Sequence, residues 1–399
     1  MLLLSPLRNT IASLADKIWD KNKKQFDFPY YINSLTEADI EYSLSKSFPT
    51  LKLSKADTLL YQGNSTGDQH KWHGVLLYTL HQRKKYIGLT DKEEGLFHKA
   101  IQGELNLIDE NGNILRGKID DNHYEYNPSG CTLSGFALSF ITIKENSEYL
   151  SSNDFKEFIN RTYKFVSKTL ETMYLNGQTN YNRARLFPWW GFGHNALNVC
   201  TVAAIGLSIE PDNKKWEYIF NKYSKLLKHP EHVLFMKIPF KNDKYIFLGH
   251  WFDENSNLYK LITLKHLFSN NKYIDKGYKT LLNKYKTINT EIGILAGNYK
   301  LAVWNIVNYY HPSHDTIETI NKYQSKYIIY YDEDKKPKKY SKIPYPVCLR
   351  PPTSYAWQSC PFDHVNSIRQ SKVFRNDISQ LDLYRLTTLY QIFKQDKRI

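Results

Sequence analysis

No stretch of eighteen apolar residues occurs in this chain, so the sequence offers no segment able to span a membrane as a helix. Cysteine is scarce. The four residues Cys131, Cys200, Cys348 and Cys360 show no CxxC spacing, which argues against a zinc ribbon or a disulfide framework. Cys131 and Cys200 fall in apolar helical runs and are expected as buried thiols. The start, Met1-Leu2-Leu3-Leu4-Ser5-Pro6, lacks a basic leader and is too short for a signal-peptide core. The expectation is therefore a cytoplasmic location, or export without a cleavable Sec signal. There is no P-loop, no GxGxxG after a strand, no HExxH and no GxSxG elbow. Those absences disfavour nucleotide cofactors and the common hydrolase plans, and no cofactor is expected. With only 15 Pro and 18 Gly in 399 residues and 41% apolar residues, wholesale disorder is excluded.

What the chain does have is positive charge and aromatic rings. Lys and Arg number 54 against 40 Asp and Glu, a formal net charge of +14 that favours encounter with polyanions. Much of it is lysine on amphipathic helices and in Lys335-Lys336-Pro337-Lys338-Lys339, where a solvated loop is the plain reading. No nucleic-acid-binding module is recognisable, so no specific nucleic-acid partner is expected. Aromatics make up 15% of the chain, with 31 Tyr. Codon bias toward Tyr, Asn, Lys and Ile accounts for this as readily as a ring-lined surface does, and only the Trp positions separate the two.

Helices dominate and alternate in kind. Residues 194–208 are apolar on nearly every face, through Ala196, Leu197, Val199, Cys200, Val202, Ala203, Ala204, Ile205 and Leu207, which predicts a helix buried all round. Residues 212–228 place Trp216, Ile219, Phe220, Tyr223, Leu226 and Leu227 at helical spacing with lysines elsewhere, which predicts a one-sided outer helix. The same inner-then-outer alternation is read at 130–144 with 153–175, at 254–268 with 271–286, and more weakly at 72–83 with 90–103 and 296–310 with 314–326. Helices at 7–20 and 379–394 would close a ring, with a helix at 36–46 packed beside them. Short β-hairpins are expected at 105–115, around Asn111-Gly112, and at 233–248, around Asn242-Asp243. The irregular stretch 328–361 could wrap across the mouth.

Four polar-aromatic clusters precede the inner helices. They are Gly67–Gly74, Asp120–Tyr126, Asn182–Asn195 and Gly249–Asn255. A loop in water has little use for Trp, and a core has little use for unpaired His, Arg and Asp. Both together suggest the wall of a cleft, and clusters at one end of the fold would share one mouth. In the first, Asp68, His70 and His73 can act as acid and base or ligate a metal, with Trp72 as a stacking wall; a helix cap and an exposed histidine are the plain reading. In the second, Asp120 and Asp121 are paired carboxylates, and His123 and Tyr126 can move protons. In the third, Arg183 and Arg185 can fork onto a carboxylate or sulfate. Trp189 and Trp190 supply flat faces there, and His194-Asn195 lies at a helix N-terminus, where anions are favoured. The plain reading is core rings and surface ion pairs. In the fourth, His250 and Trp251 continue the theme, while Asp253 also suits an N-cap. His311, His314, Arg350, Trp357, Gln358, Asp363 and His364 are weaker candidates.

A run of helical hairpins with chemistry before the inner helices resembles the (α/α) toroid, or six-hairpin, enzymes, which include glycoside hydrolases, polysaccharide lyases and unsaturated-uronyl hydrolases. The resemblance is architectural, covers most of the chain and picks out no single family. It implies a mainly α, (α/α)6-type toroid as one domain over 1–399, with short β-hairpin insertions, acting on a glycan. Combined with the basic charge, it leads to an expected acidic polysaccharide or oligosaccharide substrate cleaved by β-elimination. Arg183, Arg185 and Asn195 would hold the uronate, and His194, His123 or Tyr126 would move the proton. Trp72, Trp189, Trp190, His250, Trp251 and Asp253 would line the subsites. Hydrolysis by Asp68, Asp120, Asp121 or Asp253 is the first alternative. A metal-dependent helical enzyme using Asp68, His70 and His73 is the second, and a non-catalytic basic effector or scaffold is the third. Oligomeric state is not legible.

Overall fold

The structure, a computed structural model, describes residues 51–60, 66–126, 128–176, 192–229 and 251–285, and single positions 233, 381, 384, 385, 388, 391 and 392. At 172–176, 192–195, 251–255 and 281–285 the description is of the backbone alone. Nearly all of these residues belong to one compact unit, 51–233 with 255–281.

That unit is mainly helical. In chain order the described elements are α1 (Gln69–Tyr86), α2 (Asp91–Leu105), β1 (Gly117–Lys118), β2 (Tyr124–Glu125), α3 (Gly130–Glu145), α4 (Ser152–Asn176), α5 (Phe192–Ile209), α6 (Lys214–Ser224), α7 (Trp251–Leu267) and α8 (Lys272–Tyr285). Helix α6 runs on as a 3-10 turn, Lys225–Lys228. The starts are chemically marked. Thr90 and Glu93 form a capping box on α2, Ser129 and Thr132 another on α3, and the Asn213 side chain accepts the Trp216 N–H of α6.

The eight helices follow one another in four pairs, each an inner helix and then an outer one, and the contacts show the first two pairs to be antiparallel hairpins. In the first, His70 faces Glu104, His73 faces Ala100 and Arg83 faces Glu93, so α1 and α2 run in opposite senses. In the second, Phe136 meets Phe165 and Phe140 stacks on Phe158. In the third, Gly206 of α5 lies against Val166 of α4 and the Trp216 ring of α6. In the fourth, Lys265 of α7 reaches Asp275 of α8 at 3.0 Å. Burial follows the sequence pattern. Helix α3 is buried from Thr132 to Ile143 and α5 from Ala196 to Leu207, whereas α6 buries only Trp216, Ile219, Phe220 and Ser224.

Inner helices α1 and α3 run parallel. Near their N-termini Gly74 and Gly135 cross so closely that a β-carbon on either would overlap the other helix's backbone. Near their C-termini His81 meets Glu145 at 2.8 Å and Asn146 at 2.9 Å. Helices α3 and α7 are parallel as well, since Ser256 lies 3.6 Å from the Cys131 thiol at one end and His266 lies 3.2 Å from Glu145 at the other. Lys144 reaches the Ser208 carbonyl, which brings the C-terminal ends of α3 and α5 together. The starts of α1 and α3 and the turn of α7 that carries Ser256 therefore share one end of the unit.

The hairpins differ from expectation in detail. At 105–115 the turn exists, with Gly112 at φ 75° and the Asp109 carboxylate accepting the Asn111 and Asn113 N–H groups, but Ile108 and Ile114 form a single bridge rather than strands. The sheet lies one segment later, where Gly117 pairs with Glu125 and Lys118 with Tyr124. The expected hairpin at 233–248 and the helices expected at 7–20, 36–46, 296–310 and 314–326 lie outside the described residues. The 379–394 helix is described only at scattered positions.

Candidate functional site

The short sheet makes the second cluster a hairpin tip, not a helix start, and docks it on the N-terminus of α1. The His70 N–H donates to the Arg116 carbonyl at 2.9 Å, and the Gln69 side chain accepts the Lys118 N–H at 2.7 Å. Gly117 sits against Thr66 and Gln69 where no β-carbon fits. Between hairpin and helix lies Arg116, whose guanidinium donates to Asp68 at 3.1 Å and to Glu125 at 3.2 Å. Burial works against the charged guanidinium, but the two facing carboxylates more than offset it and raise its pKa. Asp68, read as a cap, makes no side-chain capping bond and holds φ 58°; its carboxylate is turned to Arg116 instead.

At the tip, Asp120 Oδ1 accepts three hydrogen bonds, from the backbone N–H groups of Asn122 and His123 and from His123 Nδ1 at 2.8 Å. A carboxylate oxygen only accepts, so the proton of a neutral His123 is on Nδ1 and the Nε2 lone pair is left open. The hydrogen bond from His123, followed by that from Asn122, holds the Asp120 carboxyl below the usual carboxylate range. Asp121 diverges from its neighbour and pairs with Lys118 at 2.9 Å. Beyond the tip, Tyr124 and Tyr126 meet edge to face at 5.2 Å while 48% and 54% exposed. Two rings held this far out of the core present faces that a ligand can stack on.

The first cluster is internal rather than part of a cleft wall. Trp72 is buried in the core and does not offer a face to a ligand; the Lys71 ammonium lies 4.7 Å from its ring centre. His70 and His73 are fully buried, and all four ring nitrogens are engaged. His70 Nδ1 donates to the Leu115 carbonyl at 2.7 Å, and its Nε2 shares a proton with Glu104 at 2.7 Å. His73 Nδ1 accepts the Leu59 N–H at 3.0 Å while its Nε2–H donates to the Ala100 carbonyl at 2.8 Å. Burial drives the His73 pKa down to about 4, against the opposing pull of Glu104. No lone pair is left on these rings for a metal, and Asp68 faces Arg116, so the Asp68, His70, His73 metal reading is corrected to an internal tie between α1 and α2. Among the described residues no group of three or more His, Cys, Asp or Glu side chains is arranged to hold a metal ion.

Of the other expected residues, Arg183, Arg185, Trp189, Trp190, His250, His311, His314, Arg350, Trp357, Gln358, Asp363 and His364 lie outside the described residues. Helix α5 starts at Phe192, which puts His194 and Asn195 in its first turn. Helix α7 starts at Trp251, so Asp253 lies inside the helix rather than before it. Cys200 is a buried free thiol and Cys131 a half-buried one; burial alone raises the Cys200 pKa. Three residues given no role in the sequence matter here. Arg116 and Glu125 fasten the hairpin, and Glu104 anchors His70. The Tyr-Glu-Tyr alternation at 124–126 was a strand signal for the first pair, whereas a single glutamate on an amphipathic helix gives no sign of being buried.

No family model matches the sequence, and no curated protein sequence does either. Among solved structures the chain is similar to the cellulase Cel9M of C. cellulolyticium in complex with cellobiose, at 10% identity and a TM-score of 0.36, over 81% of this chain and 85% of that one. The likeness is loose in chain path and distant in sequence.

Proposed function

We propose that the protein is a carbohydrate-active enzyme that cleaves an acidic glycan by β-elimination, at the end of the fold where α1 and α3 begin. The observation that carries the reading is the Asp120–His123 pair set beside the exposed Tyr124–Tyr126 rings on one anchored hairpin. Asp120 holds His123 with Nδ1 protonated, the state in which Nε2 serves as a base. In the proposed step, Nε2 takes the proton α to the uronate carboxylate. The C–H electrons form the new C=C bond, the bond to the 4-linked sugar breaks, and the departing oxygen takes the Tyr126 phenolic proton. Proton transfer from His123 back to Tyr126 through water restores both groups. No step uses a cofactor.

In this proposal Arg183, Arg185 and Asn195 hold the uronate carboxylate, as their chemistry suits, and His194 is the second candidate base. Trp189, Trp190, His250, Trp251 and Asp253 line the subsites. Hydrolysis is less favoured because Asp68 faces Arg116 and Asp121 faces Lys118, whereas a hydrolase's acid needs surroundings that keep its proton on. Closure of six hairpins into one toroid over 1–399 belongs to the same proposal; four helix pairs are described. Turnover on a panel of acidic and neutral glycans tests it. New ultraviolet absorbance with new reducing ends supports elimination. New ends without absorbance means hydrolysis, and neither across the panel counts against a glycan substrate.

A further inference from the structure

The positive charge of the unit is not spread evenly over its outer helices. Helix α2 carries Lys92 and Lys99 against Asp91, Glu93, Glu94 and Glu104, and on α4 four basic residues face three acidic ones. By contrast, α6 with its 3-10 turn has five lysines against Glu217 alone, and α8 has four against Asp275 alone. These elements are packed together, since Gly277 of α8 lies against Leu227, and the Phe220 ring of α6 meets that of Phe268 after α7 at a tilt, centres 4.4 Å apart. The outer surface formed by α6, its 3-10 turn and α8 is built from segments that together carry half of the chain's net charge.

Six side chains on that face, Lys222, Lys225, Lys228, Lys272, Lys276 and Lys279, are exposed and have no carboxylate partner among the described residues. Tyr rings are set among them. Lys222 lies between Tyr218 and Tyr223, at 6.0 and 5.8 Å from the ring centres, and Lys272 lies 5.2 Å from Tyr273. Tyr218 is the most exposed large ring among the described residues, at 58%. Ring contacts keep lysine stems raised and ordered, which lowers the entropy lost when an anion is bound.

We propose that this outer face is a second, non-catalytic binding surface for the anionic polymer. Lys222, Lys225 and Lys228 recur every third residue, about 5 Å apart along the axis. That row is sparser than the one charge per ~1.7 Å of duplex nucleic acid. It suits a glycan with one anionic group per sugar ring. Lysine, a rotatable point charge without the fork of arginine, suits a partner that slides. The choice of a glycan rests on the proposed function; the existence of the binding face does not.

The test uses binding, so that its outcome is separate from turnover. Full-length protein carrying Lys222→Gln, Lys225→Gln, Lys228→Gln and Lys276→Gln is compared with a charge-matched control carrying Lys92→Gln, Lys99→Gln, Lys156→Gln and Lys164→Gln. Affinity for a long polyuronate and for duplex DNA is measured by titration at several salt concentrations. The expected result is at least tenfold weaker polyuronate binding for the α6/α8 variant, a shallower salt dependence, and less than a twofold change in the control. Turnover of a short oligosaccharide stays unchanged. Equal losses in both variants mean net charge alone and overturn the proposal, as does no loss in either. Tighter binding of duplex DNA through the same four lysines overturns the glycan as partner.

Discussion

Gly74 of α1 and Gly135 of α3 touch backbone to backbone, and this crossing sets two parallel helices with their starts side by side. An alanine at either position has nowhere to put its methyl group except into the neighbouring helix backbone, which cannot yield as a side chain tip does.

Gly135→Ala is therefore expected to cost about 3 kcal/mol, the upper range for overpacking. Gly95 of α2 is the contrasting case, exposed in a helix with open space around it. Gly95→Ala should stabilise by up to about 1 kcal/mol through helix propensity. Urea unfolding of both variants checks the pair. A neutral Gly135→Ala would contradict the close crossing.

His73 gives the fold an acid limit. Its pKa is about 4 when folded against about 6.5 unfolded, so between those values the unfolded chain binds more protons. The associated stability is fully present above pH ~6.5 and is lost as pH falls toward 4, about 3 kcal/mol in all. Denaturant midpoints measured from pH 4 to 7 should fall on the acid side, and His73→Gln should flatten the slope while lowering stability at pH 7. An unchanged slope in the variant would assign the acid sensitivity to other groups.

Arg116 fastens the hairpin more than it stabilises the fold. It and both carboxylates are partly exposed, so solvent screening limits Arg116→Met to about 1 kcal/mol. Amide exchange at 117–125 should speed up, and kcat/KM on the glycan should drop about tenfold as the hairpin loses its position. Unchanged exchange at 117–125 would show that the docking of Gly117 and Gln69 suffices without the ion pairs.

The alternation of inner and outer helices was legible because burial is written locally. A helix apolar on every face, such as 194–208, has no side to give to water, whereas the lysines of 212–228 mark theirs. The histidines were not legible in the same way. Asp-x-His-x-x-His describes a ligand set as well as it describes ties to Glu104, Ala100 and Leu59, and those partners come from other segments. Trp72 was misread for the same reason, since its neighbours in sequence are polar while its neighbours in space are the core. The Asp120–Tyr126 hairpin was masked by the Pro128-Ser129 helix start that follows it.

The most direct test of the account is the ultraviolet signal of elimination on an acidic glycan, compared between wild type and His123→Ala at equal folded concentration. The account predicts new absorbance with matching reducing ends in the wild type. It also predicts a loss of at least about 100-fold in kcat for the variant, the scale of a missing general base. Full activity in His123→Ala, or reducing ends that appear without absorbance, would contradict it.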